Sequence, residues 1–115
     1  MNLPHTVRSL IKVTAMQLRE SELQPNEAAN VLNHMTALLG NISEEIREAD
    51  HDYACVLLKC LESEESANRA KIRAETSPEY LRKREARDTK ELALEMIRSL
   101  KYFLRCKEEE MRLTR

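Results

Sequence analysis

One glycine and three prolines in 115 residues leave this chain few places to turn tightly. A sheet needs frequent turns and β-branched or aromatic residues, whereas aromatic residues here make up 3% and charged residues 34%. The chain is therefore read as all-α, a small helical domain with a long antiparallel helical hairpin.

At this length the residues form one domain. Its apolar residues are mainly Leu, Ala, Ile, Val and Met, so a monomeric core would be thin. Burial between subunits would remedy that, which makes a homo-oligomer the expectation.

The few breakers, read with apolar spacing, divide the chain. Val7, Leu10, Ile11, Thr14 and Leu18 recur at helical steps and predict a first helix from about Thr6 to Leu23, ended by Pro25. A second helix opens at "PNEAAN" and carries Ala28, Val31, Leu32, Met35, Leu38 and Leu39, with Gly40 as a left-handed cap. Asn41 or Ser43 then caps a third helix running to Glu75. Its apolar face, Ile46, Ala49, Tyr53, Val56, Leu57, Cys60 and Leu61, gives way to a small-residue seam of Ala67, Ala70 and Ala74.

Ser77 and Pro78 form the clearest start signal: Ser as N-cap, Pro at the first helical position and Glu79 beside it. The fourth helix is expected to reach Leu113 with a core stripe of Leu92, Met96, Leu100, Phe103 and Met111, and no strict heptad is read. Residues 1–61 would supply mainly core helices, 62–90 a projecting charged hairpin, and 91–115 a C-terminal core and oligomerisation helix.

Charge is distributed unevenly along the chain. Residues 1–68 hold 5 Lys/Arg against 11 Asp/Glu, a net of −6, and residues 69–115 hold 14 against 9, a net of +5. The hairpin tip would present Arg82, Lys83, Arg84 and Arg87, supported by Arg69, Lys71, Arg73 and Lys90. Closely spaced cations release counterions on meeting phosphates, which suits a nucleic-acid backbone. The same cations could instead be a solvated face laced by Glu75, Glu79, Glu85, Asp88 and Glu91. Base-specific reading has no motif to support it, and Tyr80 is the only ring near the tip.

Other chemistries find little purchase. A single glycine rules out a phosphate-cradling loop, and no nucleophile elbow or HExxH motif occurs, so no catalytic residues and no cofactor are assigned. Asp50, His51 and Asp52 fan out on a helix and do not make a metal site. Cys55 and Cys60 are read as small buried hydrophobes, and three cysteines without a CxxC spacing suit a reduced, cytoplasmic protein. No apolar run approaches a membrane span, and no secretory leader is read at the N-terminus.

The segment "LQPNEAANVLNHMTALLGNISEEIREADHDYACVLLKCLE" resembles the UvsY-type recombination mediators of bacteriophages, mainly over residues 23–61 and through its "EAAN" run. The resemblance implies a ring-forming oligomer in the cytoplasm of a bacterial host cell that binds single-stranded DNA, contacts a recombinase and a single-strand-binding protein, and helps the first replace the second. No reaction chemistry or cofactor would belong to the protein itself. The alternative class is a helical oligomeric adaptor or assembly protein that binds another protein and has no nucleic-acid role.

Overall fold

Pro25 and Pro78 each open a helix of more than thirty residues. The computed structural model describes residues 3–64 and 66–114, with side chains from Val7 onward. The outermost residues of the predicted 1–61 and 91–115 regions, and Glu65 within the predicted third helix, lie outside the described residues. The elements are α1 (Leu3–Arg19), α2 (Pro25–Ser63), α3 (Ala67–Glu75) and α4 (Pro78–Leu113), with no strand among the described residues. The fold is all-α, a rod of 72 × 22 × 19 Å.

α1 ends four residues earlier than expected. Glu22 N–H bonds the Gln17 carbonyl at 2.9 Å and Ser21 N–H the Leu18 carbonyl at 3.3 Å, while Ser21 sits at φ 57°. This closing pattern usually employs glycine in the left-handed position, and here a serine takes it. The reversal tucks Leu23 into the core at 4% exposure and delivers the chain to Gln24, whose extended backbone precedes Pro25.

Gly40 does not cap a helix, and Asn41 and Ser43 start none: all three lie inside α2. The reason is a buried seam that crosses the glycine without a break. Ala28, Met35, Ile42 and Ala49 are all buried at steps of seven, with Leu32, Leu39, Ile46 and Tyr53 alternating between them. Pairing that seam with α4 outweighs the ~1 kcal/mol that glycine costs in a helix interior. α4 answers with Ala86, Thr89, Ala93, Met96 and Leu100 buried and Phe103 half-buried, an alternation of three and four residues. A heptad is thus sustained on both long helices, the packing of a left-handed helical pair. Leu92 and Met111, expected in the core, are instead 39% and 61% exposed.

The predicted third helix is two helices. α2 stops at Ser63, and Ser66 caps α3 by accepting a hydrogen bond from Arg69 N–H at 3.2 Å. α3 then runs back along α2, sealed by Ala70 and Ala74 at 0% exposure, so the small-residue seam does bring a helix close. Ser77 accepts from Tyr80 N–H at 3.3 Å and α4 begins with Pro78 at its first turn, as its local sequence predicts.

This fold-back sets the register of everything downstream. α4 starts alongside Tyr53, with the Tyr53 and Tyr80 ring centroids 5.3 Å apart. The expected stalk, in which the α4 start projects beyond the core with its arginines at the tip, is therefore corrected. The end of the rod is formed by the α2–α3 turn, and the first turns of α4 lie against the middle of α2. α1 docks on the other flank, where Arg8 Nε donates to Thr89 Oγ1 at 2.9 Å and Nη2 to the Glu85 carbonyl at 3.3 Å. Thr89 in turn donates to that carbonyl at 2.7 Å, which satisfies a hydroxyl at 0% exposure.

Candidate nucleic-acid interface

The register places the basic start of α4 beside the acidic middle of α2. Glu45, Glu48 and Asp52 lie three, four and seven residues apart and so share one helical face. Arg82 meets all three. Its Nε donates to Glu45 Oε1 at 2.8 Å and its Nη2 to Glu45 Oε2 at 3.2 Å, a bidentate fork; Nη1 donates to Asp52 Oδ2 at 2.6 Å and Nη2 to Glu48 Oε2 at 3.4 Å. The hydrogen bond to Glu45 raises the Arg82 pKa beyond its ordinary value, against the opposing effect of burial. Its charge is matched before any phosphate arrives.

Two more of the eight cations named from sequence are matched in the same way. Arg87 Nη2 donates to Asp50 Oδ2 at 2.7 Å, and Arg73 Nη1 to Glu64 Oε1 at 2.6 Å, the latter bond raising the Arg73 pKa. Lys83 stands over the Tyr53 ring with Nζ 4.5 Å from the centroid, and Arg84 over Tyr80 at 6.0 Å. Arg69, Lys71 and Lys90 are exposed. The eight do not form one surface: Arg73 on α3 and Arg82 and Arg87 on α4 are held by different carboxylates.

A better-formed cationic surface lies further along α4, in residues that sequence reasoning assigned to core and oligomerisation. Arg98, Lys101 and Arg105 recur at three- and four-residue steps opposite the buried face of Ala93, Met96 and Leu100, and all three are exposed. None forms an ion pair among the described residues. Between them stands Tyr102, 67% exposed, whose phenol is raised in pKa by the neighbouring Cys106 thiol. The cations and the ring recur at helical spacing in "RSLKYFLR", a pattern that separates from the core stripe only once the buried face of α4 is known.

The remaining candidates separate. Asp50 turns to Arg87, Asp52 to Arg82, and His51 lies 3.8 Å from the Cys55 sulfur, so the "DHD" run shares no focus. Cys55 is exposed, correcting its expected burial, and Cys60 and Cys106 are partly buried; all three are free thiols. No group of three or more metal-ligating side chains occurs among the described residues, and no described helix is long and apolar enough to cross a membrane.

Comparisons with protein-family models, with curated proteins and with solved structures find no match to this chain.

Proposed function

We propose that the protein is a non-enzymatic accessory of DNA recombination that binds single-stranded DNA as a helical homo-oligomer and assists recombinase loading. The observation that carries this reading is the outward row Arg98, Lys101 and Arg105 with Tyr102 exposed among them. Cations supply phosphate contacts, and an exposed ring supplies a stacking surface that every base can use. Repetition of the row around an oligomer raises affinity through effective concentration without a new contact. The resemblance of residues 23–61 to phage recombination mediators points the same way. A recombinase and a single-strand-binding protein are the further partners this reading names.

Titrating a fluorescent oligonucleotide into the protein across a salt series tests the proposal. Binding that weakens steeply with salt supports it, and absence of binding at low salt removes it.

One observation favours the second reading, a helical adaptor or assembly protein without a nucleic-acid role. Met16, Leu58, Ile72, Leu81 and Met111 are each more than half exposed. A protein partner could bury such side chains, and this reading predicts oligomers that ignore DNA.

A further inference from the structure

α2 presents Tyr53, Leu57 and Leu61 on one side of a cleft, and α3 runs back along the other with Ala67, Lys71 and Glu75. Both triplets recur every fourth residue, so each forms one wall, and Tyr80 and Lys83 close the cleft where α4 begins. It holds about 490 Å³, within the roughly 300–1,000 Å³ of clefts that hold ligands. The walls are mostly apolar, and the rim carries two lysines against one carboxylate. Neither Lys71 nor Lys83 forms an ion pair among the described residues.

The opposite end of the rod carries the complement. From Tyr53 back to Pro25 on α2 and from Tyr80 forward to Glu108 on α4 are equal spans, so Glu109 to Leu113 extends past the start of α2. There Met111 is 61% and Leu113 84% exposed, beside Glu108, Glu109 and Glu110. Among the described residues Glu110 and Glu109 pair with local partners, Lys107 at 3.4 Å and Arg112 at 3.5 Å. Exposed pairs of this kind contribute little and exchange readily.

We propose that the cleft between α2 and α3 receives the Glu108–Leu113 end of α4 from a second copy of this chain. Leu113 enters against Leu57 and Leu61, and Glu109 and Glu110, on the same helical face one turn back, meet Lys71 and Lys83. The Glu108–Leu113 segment, about 7.5 Å long, fits within the wall from Tyr53 to Leu61, about 12 Å. The chain's own end cannot reach, because Tyr80 and Met111 lie about 46 Å apart along one helix. Donor and acceptor are different patches, so the contact is heterologous rather than self-complementary.

This inference rests on the self-association in the proposed function, and the test separates the two. Sedimentation velocity over a concentration series is run on the full chain, on Lys71→Glu/Lys83→Glu, on Glu108→Lys/Glu109→Lys/Glu110→Lys, and on the chain carrying all five changes. Circular dichroism checks that each keeps its helix; the second variant alters only exposed residues at the end of α4, so it reports even if the first loses structure. Each single-site variant is expected to associate at least tenfold more weakly than the parent, and the five-change chain to recover most of the loss. A parent that associates while both variants associate equally well overturns the cleft assignment and leaves self-association standing. A parent that stays monomeric throughout overturns both.

Discussion

Arg82 of α4 and Glu45 of α2, distant in sequence, close a bidentate fork at 2.8 and 3.2 Å. That one pair reverses the simplest reading of "YLRKREAR". A run of cations at a helix start looks like a surface waiting for phosphate, yet its first arginine is bound internally by three carboxylates.

Removing Arg82 leaves Glu45, Glu48 and Asp52 facing one another without a counter-charge. Arg82→Ala is expected to lower stability by about 1 kcal/mol, the upper end for partly exposed pairs, with a coupling to Glu45 of about 0.5–1 kcal/mol in a double-mutant cycle. Arg82→Lys recovers only part, because an ammonium cannot reproduce the fork. Urea denaturation of the four proteins in the cycle checks this, and a coupling of zero would show the fork to be energetically idle.

Gly40 is exposed in the middle of α2, and a Cβ built there meets no atom within 4 Å. Gly40→Ala is therefore expected to stabilise the protein by about 1 kcal/mol through helix propensity and the entropy of the unfolded chain. An unchanged or lower denaturation midpoint would count against a continuous α2.

Tyr53 is 8% exposed, and burial, followed by the nearby charge of Glu75, raises its phenol above the ordinary value of 10.0. The folded state then holds this proton more tightly than the unfolded chain. Stability from this group is full below pH 10.0 and is lost as pH rises through the raised folded value. Thermal melts between pH 9 and pH 11 should show a smaller alkaline loss for Tyr53→Phe than for the parent. Parallel losses in the two proteins would contradict the linkage.

Local chemistry made much of the fold legible. Ser77 and Pro78 announced α4 because a cap and a pre-set φ act within one turn, and the Val7, Ile11, Thr14 stripe announced α1 because its partners share one face. Gly40 misled because its capping preference is local, whereas the Ala28, Met35, Ile42 and Ala49 seam that overrides it is stabilised by α4. The heptad on α4 was hidden by chemistry of another kind: Ala86 and Thr89 fill core positions with little apolar bulk, and Thr89 carries a hydroxyl. The break at Ser66 was the costliest omission. A single serine cap turns α3 back along α2, and that alone moves Arg82 and Arg87 from a tip to an acidic flank. The Arg98, Lys101 and Arg105 row then emerges only once the buried face of α4 is known.

The proposed DNA contact lies on the outer face of α4 near Tyr102 rather than on the ion-paired arginines. The most direct measurement is the salt dependence of single-stranded oligonucleotide binding for Arg98→Ala/Lys101→Ala/Arg105→Ala beside that for Arg82→Ala/Arg87→Ala. Losing three phosphate contacts per site should weaken binding and flatten the log–log salt slope by about 2 in the first variant, with little change in the second. An unaltered slope in the first variant, or an equal loss in the second, would contradict the account.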